Sequence, residues 1–205
     1  MVIEKQTVPE AWVKMPSNED LPARAAADGS RHPYDFGFYP AMARLIIAHG
    51  RIGPAFSQLF AQIMFAPEGK LARAEREMVA AVASAGQDCH YRTQSHAEFL
   101  RTEGGNVELV EAIKERRWRE LELTDRQRAL CAVAEKMSVT PTRMVAEDWQ
   151  PLRDLGFDDE ACLEVGHIVG VFNYLTRMAD GFGLLLDPQT EEAGQTGEAL
   201  RRPGE

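Results

Sequence analysis

The chain has 205 residues, 44% of them apolar, and a formal net charge of −9, which is one domain's length with ample material for a core. A pI near 5.1 argues against a nucleic-acid partner, because neutralising phosphates needs Lys and Arg clustered on a net basic surface. No apolar run approaches the roughly 18 residues of a membrane span and no basic segment leads into an apolar one at Met1–Lys14, so a soluble, cytoplasmic protein with no membrane contact is expected.

Residues 1–35 carry Pro9, Pro16, Pro22 and Pro33 and read as an arm wrapping the domain surface or a neighbour. From residue 36 to 186 helical periodicity dominates and no alternating strand pattern appears, so the fold class is all-α, a bundle of about eight helices. The first runs from Pro40 towards Gly50 and the second from Pro54 to Met64. An alanine-rich helix is expected over 72–86 and its partner over 89–102, with Asp88 as N-cap, so that the two form a hairpin. Further helices are expected over 106–117 (Asn106 N-cap), 125–138 (Thr124 and Gln127 as a capping box), 143–155, and 159–182 (Asp158 N-cap). Gly166 and Gly170 on the last of these would permit close helix approach. Residues 187–205 form a polar tail expected to be mobile unless a partner subunit orders it.

The chemistry concentrates in Glu77 and in Asp88-Cys89-His90-Tyr91-Arg92-Thr93-Gln94-Ser95-His96. On a helix, Cys89, Arg92 and His96 fall at i, i+3 and i+7 and share a face. A first-turn position would expose Cys89 to the helix dipole and favour its thiolate. His96 is the candidate general base or acid, with Glu77 able to orient its ring across the hairpin, although Glu77 also sits four residues from Arg73 in ion-pair spacing. Arg92 is a surface group, a buried partner for Glu77, or a carboxylate-binding fork. Tyr91 either packs or donates its phenol to a ligand. The three cysteines, Cys89, Cys131 and Cys162, are too few for a secreted disulfide framework, and no His/Cys cluster of metal-site type appears, so neither metal nor cofactor is expected. Lys114, Arg116, Arg117 and Arg119 are interleaved with Glu111, Glu115, Glu120 and Glu122 and read as a solvated helix end.

Leu71 to Val79, Ala83-Ser84-Ala85, Cys89-His90-Tyr91, His96, and Phe172 to Gly181 together resemble the carboxymuconolactone decarboxylase and alkylhydroperoxidase superfamily, nearest its peroxidase-related branch. The resemblance spans roughly residues 36 to 185 and implies an AhpD-like helical bundle that assembles as a homo-oligomer, from dimer to hexamer, and acts on a small molecule. Peroxidase members carry Cys-x-x-Cys-x-x-x-His, in which the second cysteine attacks peroxide and the first resolves it. Here Cys89 and His96 match the first cysteine and the histidine, Glu77 matches the upstream acid, and Arg92 stands where the attacking cysteine belongs. Arginine is always protonated and no nucleophile. The resemblance therefore implies an enzyme without the redox pair, using Glu77 and His96 for proton transfer of decarboxylase, lyase or isomerase type on an anionic or lactone substrate held by Arg92. The alternatives are a peroxidase working through Cys89 alone and a non-catalytic ligand-binding oligomer.

Overall fold

The computed structural model describes residues 9–20 and 32–204. The expected arm over 1–35 therefore lies partly outside the described residues. Nine α-helices and no strand occur among the described residues: α1 (Ala41–Ile47), α2 (Ile52–Phe65), α3 (Arg73–Gly86), α4 (His90–Thr102), α5 (Val107–Lys114), α6 (Asp125–Val139), α7 (Gln150–Asp154), α8 (Asp159–Gly181) and α9 (Pro188–Thr196). No helix among them is long and apolar enough to cross a membrane.

The bundle is built around α3. Ala80, Ala81 and Ala83 are fully buried, and these small side chains let α4, α6 and α8 approach it on different sides. Three of the expected caps form: Asn106 Oδ1 accepts from Leu109 N at 2.8 Å, Thr124 and Gln127 bond reciprocally, and Asp158 Oδ1 accepts from Ala161 N at 2.9 Å.

Asp88 does not cap α4. It adopts φ 54° as the residue that ends α3, its amide donating to Ala85 O, and Cys89 is the N-cap. An aspartate tolerates the left-handed conformation that so short a turn demands, and its carboxylate swings out to Arg116 at 2.7 Å. The helix expected over 143–155 is replaced by one 3₁₀ turn, Ala146–Trp149, and the short α7, because Pro151 lacks the N–H that a continuous helix would use there. Gly166 and Gly170 do not seat a neighbouring helix: a Cβ at Gly170 would meet nothing within 4 Å, and one at Gly166 only side-chain atoms at 3.9 Å. The basic run is not simply solvated, since Lys114 is largely buried against Glu98 at 2.5 Å, while Arg116, Arg117 and Arg119 pair with Asp88, Glu115 and Glu135.

The C-terminal stretch holds a helix that its polar composition did not announce. α9 packs on α4 and buries Thr190 and Ala193. Ahead of it, Asp187 is buried and accepts from Ala41 N at 2.8 Å and from the Tyr91 hydroxyl at 2.7 Å, tying α1, α4 and α9 together. The described part of the arm runs along the same region: Trp12 N donates to Phe182 O, Leu185 N donates to Glu10 O, and Glu10 pairs with Arg44. Gly183 turns there at φ +58°, and any side chain on it would collide with the Trp12 ring.

Candidate functional site

The α3–α4 hairpin brings Glu77 and His96 into contact. Both are fully buried, with His96 Nδ1 2.5 Å from Glu77 Oε2. Glu77 Oε1 also accepts from the Tyr34 hydroxyl at 2.7 Å and touches the Arg73 guanidinium, which lies 5.0 Å from the Tyr34 ring centroid. The ion pair with Arg73 and the contact with His96 thus coexist on one carboxylate. Burial acts to raise the Glu77 pKa, but the Arg73 charge, then His96 and the hydrogen bonds, outweigh it and hold the carboxyl down at about 2. Burial, reinforced by the Arg92 charge, pushes the His96 imidazole down to about 4 against the pull of Glu77. At neutral pH the pair is a carboxylate and a neutral ring. The carboxylate accepts a hydrogen bond from Nδ1–H, which leaves the lone pair on Nε2, and Nε2 has no partner among the described residues.

Arg92 lies one turn before His96 on α4, 4% exposed, with its guanidinium 4.8 Å from the Phe172 ring centroid. The His96 ring packs edge-on to the same Phe172 at 4.4 Å, so α8 supplies a common floor for both. No ion pair joins Arg92 to Glu77 among the described residues, and Arg92 Nε and Nη2 are buried without partners. The guanidinium lines a cavity of about 80 Å³ whose other walls include Tyr34, Met42, Ile46, Phe60 and Phe99. A delocalised cation on an aromatic face is stabilised by the ring quadrupole, and its free N–H groups suit a planar anion. His96 stands one ring behind that wall, because Tyr34 and Phe99, which line the cavity, both pack on the imidazole.

Cys89 is turned towards α8. Its Sγ is buried and 3.9 Å from Thr176 O on α8. Burial, with Asp180 adding to it against the Arg92 amide, pushes the thiol up to about 12, so the thiolate expected from a first-turn position does not form at neutral pH. Tyr91 points to the other side of α4, where its hydroxyl donates to Asp187 and accepts from Met42 N at 3.0 Å, and it does not line the cavity. Asn173 ties α8 to α6, its Oδ1 accepting from Ser138, while Arg177 donates to Asn173 O within α8 itself.

Sequence reasoning passed over Tyr34 and Phe99, and named Phe172 only as the start of a family motif, with no role at the site. A signal for the first existed in Tyr34-Asp35-Phe36-Gly37-Phe38-Tyr39, an aromatic density that a solvated arm has no reason to carry. No group of His, Cys, Asp and Glu suited to a metal ion occurs among the described residues.

A helical bundle whose central hairpin buries a carboxylate–imidazole pair beside an aromatic cavity defines the class of protein, and sequence and fold comparisons show what it is similar to. Residues 52–136 match the model of the carboxymuconolactone decarboxylase family. Over those residues the chain is similar to that family, and its fold is similar to that of peroxidase-related proteins with an AhpD-like core. It is similar to an uncharacterized peroxidase-related protein from Silicibacter sp. TM1040, 25% identical over 80% of this chain and 82% of that one, with a TM-score of 0.71. A peroxidase-related protein with an alkylhydroperoxidase AhpD core, from Ralstonia eutropha JMP134, is 23% identical over 90% of this chain and 96% of that one, with a TM-score of 0.76. The debrominase Bmp8 shares the fold at 19% identity and a TM-score of 0.67, over 77% of this chain and 83% of that one. No curated protein matches the chain.

Proposed function

We propose that this protein is a small-molecule enzyme of the carboxymuconolactone decarboxylase and alkylhydroperoxidase superfamily that moves protons rather than electrons, with His96 as the base and Arg92 as the holder of an anionic substrate. One observation carries the reading: a buried imidazole, neutral at physiological pH, has Nδ1 committed to a carboxylate and Nε2 free. That is the state a general base needs. For an isomerisation, Nε2 takes a proton from carbon next to a carbonyl, Glu77 stabilises the imidazolium that forms, and the proton returns elsewhere on the same molecule. For a decarboxylation, no carbon-bound proton is removed: the carboxylate leaves as CO₂, and the carbanion takes a proton that His96 relays from water. Arg92 then neutralises a carboxylate that is retained or an enolate oxygen that develops. Holding the departing carboxylate would instead stabilise the ground state. Because Tyr34 and Phe99 stand between the imidazole and the cavity, substrate reaches Nε2 by displacing the Phe99 ring while Tyr34 stays on Glu77. The substrate class is a small anion or lactone with a flat body that suits aromatic walls. Bmp8, with the same fold, has been crystallised as a cysteine-to-alanine variant with 2,3,4-tribromopyrrole, itself a flat ring.

The test is deuterium incorporation from D₂O into a panel of carboxylated γ-lactones and 3-oxo acids, followed by NMR. Exchange or turnover that survives Cys89→Ser and is lost in His96→Ala supports proton transfer. Loss in Cys89→Ser, with mass spectrometry showing Cys89 oxidised by mild peroxide, would transfer the function to the thiol.

A further inference from the structure

Tyr34 comes from the stretch before α1, 43 residues from Glu77 and outside the family-matched residues 52–136, yet it completes the buried site. Its hydroxyl meets Glu77 Oε1 at 2.7 Å, its ring stands edge-on to His96 with centroids 5.8 Å apart, and it lines the cavity that Arg92 also lines. Its ring is clamped by Phe99, stacked at 4.5 Å, and by the edge of Phe65 at 5.0 Å, so the hydroxyl has little freedom to point elsewhere. We propose that Tyr34 is a positioning residue: its O–H fixes the Glu77 carboxylate and, through it, the orientation and basicity of His96.

The argument is one of shared lone pairs. Glu77 Oε2 serves His96, while Oε1 serves Tyr34 and the Arg73 charge. Arg73 touches Glu77 without hydrogen-bond geometry, so Tyr34 is the directional donor on Oε1. A donor on one oxygen withdraws charge from the carboxylate and weakens its hold on the Nδ1 proton. The charged groups that act on His96 are Glu77 and Arg73 on α3 and Arg92 on its own helix, and α8 presents only the uncharged Phe172 ring. Removing the hydroxyl removes none of these charges, although Arg73 loses its own contact with the phenol. The carboxylate then becomes more basic and the imidazole easier to protonate.

The role rests on reading His96 as a base, but it can be measured without turnover, so the two can fail separately. NMR of ¹⁵N-labelled protein should show the His96 Nδ1 proton far downfield. Tyr34→Phe should move that signal further downfield and raise the His96 titration midpoint by about half a unit or more. Phe36→Leu loosens the same aromatic cluster, in which Phe36 stacks on Phe99 at 5.2 Å, and should leave both readouts in place. In 3-fluorotyrosine placed at position 34 the phenol is a stronger donor, and the midpoint should move down. An unchanged midpoint in Tyr34→Phe overturns the proposal, as does an equal shift in Phe36→Leu. Should Tyr34→Phe not fold, the direction of the fluorotyrosine shift decides alone, and an unmoved or raised midpoint overturns it.

Discussion

Arg92 costs the fold stability where it stands. Its guanidinium is buried, its Nε and Nη2 are unpaired, and the Phe172 ring repays only part of the lost hydration, on the order of 2 kcal/mol. Replacement by a flexible apolar side chain of similar reach should therefore strengthen the protein while it abolishes anion binding. Arg92→Met is expected to gain about 1 to 2 kcal/mol in urea unfolding, with the melting temperature raised by roughly 4 °C, and benzoate is expected to raise the melting temperature of the wild type but not of this variant. A variant that is less stable than the wild type would mean that the guanidinium supports the structure. The spacing of Cys89, Arg92 and His96 made one helix face legible in the sequence, and the i+4 relation of Arg73 and Glu77 was equally visible. Spacing could not show which way the N-cap side chain turns. Cys89 faces α8 because the turn before α4 puts the left-handed residue at Asp88, one position earlier than a simple N-cap reading allows.

At the scale of elements, one wall of the cavity is held in place by hydrogen bonds that converge on Asp187. The start of α1, which carries Met42 and Ile46 into the cavity wall, is fastened through Ala41 N to Asp187, and Asp187 accepts in turn from Tyr91 on α4. Burial raises the Asp187 pKa, while these two donors favour the charged form. Asp187→Ala leaves two buried donors without an acceptor and is expected to cost about 2 to 4 kcal/mol in urea denaturation, whereas Asp187→Asn keeps an acceptor and should cost less than half of that. Equal losses in both variants would show that the charge, and not the acceptor, matters. Helix starts were readable where a polar cap precedes an apolar stripe, as at Asn106, Thr124 and Asp158. α9 was not readable, because its sequence has few apolar residues and its helicity depends on docking two small buried side chains, Thr190 and Ala193, against α4.

For the molecule as a whole, the buried pair sets the response to acid. An unfolded chain carries an imidazole near 6.5, whereas folded His96 takes its proton only near 4, so between those values the unfolded state binds more protons and stability falls as pH falls. Glu77, held at about 2 against 4.5 when unfolded, acts in the same direction at lower pH: its contribution is complete above 4.5 and is lost as pH drops through 2. The pair together is worth on the order of 3 kcal/mol. Chemical denaturation at pH 7 and pH 4.5 should show the His96 share of that loss, Glu77 contributing only below pH 4.5, and His96→Phe should flatten the dependence above pH 4.5. A wild type equally stable at both values would contradict the neutral buried imidazole. The outer face of α2 and α8 leaves Ile52, Leu59, Leu163 and Tyr174 exposed, which is where association of copies would bury apolar surface. Light scattering is expected to report an oligomer, and Leu59→Glu combined with Leu163→Glu a smaller species. An unaltered mass in that double variant would place the contact elsewhere.

Local chemistry was enough to determine the helical class, the central hairpin and the pairing of an acid with an imidazole, because periodicity and capping act between residues a few positions apart. The environment of those groups was decided by tertiary structure alone. Whether a thiol is acidic or inert, and whether a guanidinium is solvated or poised, depends on burial and on partners far away in sequence, such as Tyr34 for Glu77, Thr176 for Cys89 and Phe172 for Arg92. Desolvation is a property of the packed neighbourhood, and no spacing rule along the chain encodes it.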